Sequence, residues 1–246
     1  VGEELIISSN FVFLSSAQHT VLLATFGIIS SYCEVFFASL IISFVDKLGI
    51  AYAVAFGERD HPKCKKIFTQ GFLFACAVFI FAISPLAIYS KDILYGLGIA
   101  EDHVFAGGRC LKMLLTSIGI RLVKEVLKTF CLSQGIESIF GLSGLPLVIA
   151  CTALNYYLVV HARYELLGYV ISITVYECAS FIVALIAMRS AVPGTMGFVS
   201  LTTASEGLLI FFWDCVKFMA SSYLEFVAYE FVTYMVALSQ DDDIIA

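Results

Sequence analysis

Residues 67–89 read IFTQGFLFACAVFIFAISPLAIY, a run without one charged side chain. Wound as a helix at 1.5 Å per residue, it is long enough to cross a hydrocarbon core of about 30 Å. A second run, 139–160, reads IFGLSGLPLVIACTALNYYLVV and has the same property. In lipid every backbone N–H and C=O must find its partner within the segment or within a closed barrel. A barrel would be written in alternating segments of about ten residues, which neither run is. The chain therefore reads as an all-α integral membrane protein, a polytopic helical bundle.

Working outward, Leu166–Met188 is interrupted only by Glu177, and Thr20–Val45 only by Glu34. Val104–Ser133 is charge-free only over Met113–Ile120, between Arg109 and Lys112 on one side and Arg121, Lys124, Glu125 and Lys128 on the other. Hydropathy alone passes over it. Arg121 and Glu125 stand four apart and can pair on one helix face, which lowers the cost of placing them near lipid. Glu206–Leu238 is the last helix, stopping before Gln240 and Asp241–Asp243. Short polar connections are expected at 57–66, 90–103, 134–137, 161–165 and 189–203. The positive-inside tendency puts Arg59, Lys63, Lys65, Lys66, Lys128 and Arg189 on the inner face, opposite Lys91, Arg109 and Arg163.

Composition agrees: 60% of the 246 residues are hydrophobic and 14% charged, against roughly 45–50% and 25% in soluble domains. A net charge of −6 without a basic, aromatic-interleaved patch argues against nucleic acid. The eight cysteines contain no C-x-x-C pair and mostly sit in apolar runs, so they read as packing residues and not as a metal site or disulfide framework. No Ser-His-Asp arrangement, phosphate loop, H-E-x-x-H or dinucleotide fingerprint is present, so neither an enzyme nor a cofactor is expected. The chain opens on Val1 with two acids and no basic cluster, which is not the pattern of a signal or transit peptide.

Several segments carry a family likeness in order. They are Ala53-Val54-Ala55-Phe56-Gly57 before a short basic turn, Ser133-Gln134-Gly135-Ile136 after the charged helix, Ala153-Leu154-Asn155-Tyr156-Tyr157-Leu158, Leu167-Gly168, and Leu224-Glu225-Phe226-Val227-Ala228-Tyr229-Glu230. Taken together they resemble the N-terminal part of a multidrug and toxin extrusion (MATE) transporter, with motifs such as Q-A-F-G, N-Q-G-I, L-N-Y-x-L and E-W-W-A-Y-E at similar separations. The resemblance implies a MATE-like N-lobe over residues 1–190, an interlobe connection at 191–205, and the first helix of a C-lobe at 206–246, the rest of that lobe being absent. It also implies exchange of a bulky organic cation for protons. Glu225 and Glu230, with Tyr229 one turn from Glu225, are then the coupling and substrate residues.

A carboxyl in low dielectric suits such exchange, because protonation and cation release can compete for one group. Glu34 and Glu177 are secondary candidates on that ground. Gln134, Asn155 and Tyr156 are expected to shape helix turns and interhelical hydrogen bonds more than to touch substrate. Arg121, Lys124 and Lys128 form a strip able to bind an anionic lipid head group or to snorkel toward the interface. The expected partners are membrane lipid, the missing lobe or other membrane subunits, and a small organic cation.

The likeness has gaps. Gly49 and Val54 replace the D-T-x-x-x-Q pattern, Ile139 replaces a proline, and Met219-Ala220-Ser221-Ser222 stands where A-x-P-S is expected. They motivate a second expectation: a truncated MATE-like chain serving as an accessory or structural subunit of a larger membrane complex.

Overall fold

In the computed structural model, residues 2–16, 20–195 and 197–238 are described, with the side chains of 2–4, 15, 16, 20, 226 and 229–238 excepted. They form helices joined by short turns and, among the described residues, no strand. The chain runs α1 (Gly2–Ser16), α2 (Thr20–Cys33), α3 (Ser39–Gly57), α4 (His61–Val78), α5 (Ser84–Ile88), α6 (Ser90–Gly96) and α7 (Glu101–Leu132). It continues through α8 (Ser138–Tyr156), α9 (Glu165–Met188), α10 (Leu201–Ser205) and α11 (Leu208–Leu238). Three π-helical segments, Glu34–Ala38, Phe79–Ile83 and Tyr157–His161, join α2 to α3, join α4 to α5, and extend α8.

Four continuous rods among the described residues are long and apolar enough to span a bilayer: Val21–Gly57, His61–Ile88, Ser138–His161 and Glu165–Met188. The protein is an integral, multi-pass membrane protein. The expected spans are all present, with altered ends. The apolar run 20–45 is part of a longer helical rod that closes at Gly57, at the end of the 53–57 motif, with Asp46 and Lys47 inside α3. The basic connection expected at 57–66 shrinks to three residues: the Asp60 side chain accepts from Lys63 N–H at 2.9 Å, Pro62 sits in the first turn, and the helix starts at His61. The connections expected at 90–103 and 189–203 contain α6 and the start of α10.

Each irregularity has a local cause. Pro85, which has no N–H, follows the π segment Phe79–Ile83, and the Ser84 N–H and hydroxyl both donate to the Phe79 carbonyl, the latter at 2.7 Å. Gly135 closes the turn between α7 and α8 at φ +76°, where an L side chain is strained. Gly168 lets α9 approach the segment 157–161: a Cβ there would lie 3.1 Å from the Leu158 backbone carbon.

The charged helix α7 is the central one, packed against α2, α3, α4, α5, α6 and α9. That placement explains how a helix too polar for a hydropathy criterion sits inside the bundle, since Arg121, Lys124, Glu125 and Lys128 meet protein and a cavity instead of hydrocarbon. Phe26, Phe37, Phe44, Tyr52 and Phe130 are among the largest fully buried side chains.

The segment leaving α9 is strapped along α4. Thr69 Oγ1 accepts from Val199 N–H at 3.1 Å, and Gln70 Nε2 donates to the carbonyls of Ala204 at 2.9 Å and Glu206 at 3.2 Å. Lys66 Nζ meets Glu206 at 3.4 Å, and the Phe198 ring packs tilted on Phe68 and edge-on to Phe72, with ring centres 5.2 and 5.5 Å apart. The strap ends at Gly207, φ +71°, and α11 begins there and packs on α3.

Candidate functional site: a charged cavity in the bundle

Between α1, α2–α3, α7 and α9 lies a cavity of about 1080 Å³. Its ionisable lining comes from four stretches of chain: Glu34 from the π segment, Asp46 from α3, Arg121, Lys124, Glu125 and Lys128 from α7, and Glu177 from α9. Four carboxylates therefore face three cations. Phe11, Phe37, Tyr169 and Tyr176 give the same walls aromatic surface.

The charges are linked in series. Glu177 Oε2 lies 2.8 Å from Lys124 Nζ, Lys124 Nζ lies 3.1 Å from Glu125 Oε1, and Glu125 Oε2 lies 3.1 Å from Lys128 Nζ. Side-chain exposure rises along the series, from 1% at Glu177 to 8% at Lys124, 19% at Glu125 and 38% at Lys128. The row thus starts in the interior and ends at a half-exposed side chain. Lys124 also lies over the Tyr176 ring, 5.7 Å from its centroid.

The helical geometry builds this row from sequence spacing. Residues 121, 124, 125 and 128 repeat at i, i+3, i+4 and i+7, so they share one stripe of α7. Glu177 sits midway along α9, packed against that stripe. At the other wall, the Ser39 N–H donates to the Glu34 carbonyl across the wider π turn, and the chain there supplies Glu34, Ala38 and Ser39 to the lining.

The structure separates the residues singled out from sequence. Glu34 and Glu177 both line the cavity. Arg121, Lys124 and Lys128 line it too, and Lys124 is buried in the bundle against Glu177, where a head group could meet it only by entering the cavity. Glu225 is exposed on α11 and is not part of the lining. The side chains of Tyr229 and Glu230 lie outside the described residues.

Gln134 binds the connection after α9: its Oε1 accepts from Val192 N–H at 2.9 Å and its Nε2 donates to Thr195 Oγ1 at 3.2 Å. Asn155, fully buried, donates to Asn10 Oδ1 at 3.4 Å and so ties α8 to α1. Tyr156 is partly exposed and meets Phe13 edge-on at 5.3 Å. Asp46 was not among the expected site residues. Its signal was a lone acid inside the apolar run 39–57, visible once the span is allowed to continue past Val45.

No family model matches this chain, and no curated protein matches it. Among solved structures, the crystal structure of the eukaryotic MATE transporter AtDTX14 superposes with a TM-score of 0.85 and 19% sequence identity. The match covers 98% of this chain and 53% of that one, so the chain spans about half the length of the transporter. The fold is therefore MATE-like and corresponds to half of a transporter; at this identity the likeness carries the architecture and not the activity.

Proposed function

We propose that this chain is the N-lobe of a MATE-type secondary transporter that exports organic cations in exchange for protons. In this reading residues 1–190 form the lobe, 191–205 the interlobe connection, and 206–246 the first helix of the second lobe. The observation that carries the proposal is the graded row of charges at the wall of a large cavity, within a membrane fold otherwise found in a transporter. An excess carboxylate and an aromatic wall suit a cationic guest, since ring faces and acids both attract positive charge. Binding and release then follow protonation: an acid that takes up a proton loses its attraction for the guest, and a bound guest disfavours protonation.

Glu34 and Glu177 are the cavity's coupling acids in this scheme. Glu225 and Glu230 on α11 serve as acids of the second lobe.

The test uses the full-length protein in proteoliposomes, with a fluorescent organic cation and an imposed proton gradient. Glu34→Gln is expected to reduce proton-driven transport at least tenfold, and Glu225→Gln with Glu230→Gln to do the same. Wild-type rates in all these variants would sink the proposal, as would transport that ignores the proton gradient.

A further inference from the structure

We infer that a second, smaller site binds the phosphate of an anionic phospholipid: a groove of about 630 Å³ between α6 and α7, lined by Lys91, Phe105, Ala106, Arg109, Lys112 and Met113. It is independent of the transport cavity. Three cations line it and no carboxylate does. In a chain with net charge −6 and only 14 Lys and Arg residues, such a one-sign cluster is uncommon.

The cations converge from two helices. Phe105, Arg109 and Lys112 recur at i, i+4 and i+7 and so share a stripe of α7. Lys91 comes across from α6, its Nζ 4.5 Å from the centre of the Phe105 ring. Among the described residues none of the three bases takes part in an ion pair. The contrast is the basic turn at the other end of the 61–88 rod, where Lys63 pairs with Glu58 at 2.7 Å and Lys66 with Glu206 at 3.4 Å.

Depth fits a head group. The apolar rod ends at Ile88, three residues before Lys91, and the charge-free part of α7 begins at Met113, one residue after Lys112. From Arg109 to Lys128 the helix rises about 29 Å, close to the thickness of a hydrocarbon core. The groove therefore sits at a membrane boundary. Tyr89 and Tyr95, exposed two residues before and four residues after Lys91, are of the residue type that settles at head-group level, and exposed Phe105 and Met113 in the lining offer apolar surface for acyl chains. Arg109 supplies a planar fork that can hold two phosphate oxygens, while Lys91 and Lys112 act as point charges. A free inorganic anion would use the cations but not the apolar rim.

The experiment is native mass spectrometry of the full-length protein released from mixed micelles of phosphatidylglycerol and phosphatidylcholine. Wild type is expected to keep phosphatidylglycerol in preference to phosphatidylcholine. Each base near an anionic head group is worth about fivefold in affinity, so Lys91→Gln/Arg109→Gln/Lys112→Gln should weaken retention about a hundredfold. Arg109 and Lys112 are exposed, so folding should survive, and single Arg109→Gln and Lys112→Gln variants, each expected to lose about fivefold, carry the test if the triple variant does not. The control Lys63→Gln/Lys66→Gln should retain lipid like wild type. Unchanged retention in the triple or single variants would overturn the inference, as would equal retention of the two lipids. Complete displacement of phosphatidylglycerol by millimolar inorganic phosphate would also overturn it, by assigning the groove to a soluble anion.

Discussion

Replacing Lys124 by Met should destabilise the bundle through the carboxylate it leaves behind. Lys124 and Glu177 are 8% and 1% exposed, 2.8 Å apart, and belong to the two helices that pack most closely around the cavity. Removing one member of a buried pair usually costs about 3–5 kcal/mol, because the charge that remains buried loses its close counter-charge. At about 2–4 °C per kcal/mol for a chain of this size, the melting temperature should fall by about 10 °C. Neutralising the partner as well, in Lys124→Met/Glu177→Gln, should restore at least half of the loss, because position 177 then no longer carries a buried charge. A thiol-reactive dye reads the transition directly, since Cys64, Cys110, Cys131, Cys151 and Cys215 are buried and become reactive on unfolding, over a baseline from exposed Cys76 and Cys178. If the single variant melts within about 2 °C of wild type, or the double variant melts no higher than the single, the pair is not the buried structural unit described here.

Two glycines offer further checks. Gly135→Ala places a Cβ at φ +76° and should cost about 1–2 kcal/mol, read as a fall of a few degrees in the same melt; no fall would mean the turn relaxes to another conformation. Gly168→Val drives a branched side chain toward the Leu158 backbone, which an added Cβ already meets at 3.1 Å, and should destabilise more than Gly135→Ala; Gly168→Ala should fall between wild type and the valine variant.

The architecture was readable from sequence wherever lipid dictated composition. Runs such as 67–89 and 139–160 have no other physical use for so many apolar residues, and the structure places helices there. Helix ends were less readable, because a charge inside a run does not reveal whether it faces lipid or protein. Asp46 and Lys47 follow the apolar run 20–45 yet lie midway along a rod, Asp46 on the cavity and Lys47 5.9 Å from the Phe218 ring of α11.

The site was half legible for the same reason. Glu34 and Glu177 stood out as lone acids in apolar runs, and both line the cavity. Their connection through Lys124 was not visible, since it depends on which face of α7 meets α9, a long-range packing fact with no local signature. The strip Arg121, Lys124 and Lys128 has the spacing of a head-group site or a snorkelling edge, and only the central position of α7 turns it to the cavity. The glycines of the Gln134-Gly135 and Leu167-Gly168 motifs have local reasons: one adopts a left-handed turn and the other admits a neighbouring backbone.

The strap along α4 limits how force can pass through the molecule. With Val199, Ala204 and Glu206 fastened to Thr69, Gln70 and Lys66, a pull on α11 meets a tether anchored on the α4 side chains, and Gly207 is the first joint free to turn. Phe212 of α11 also meets Phe74 of α4 edge-on at 4.8 Å, so movement of α11 reaches α4 both through the strap and through this ring contact.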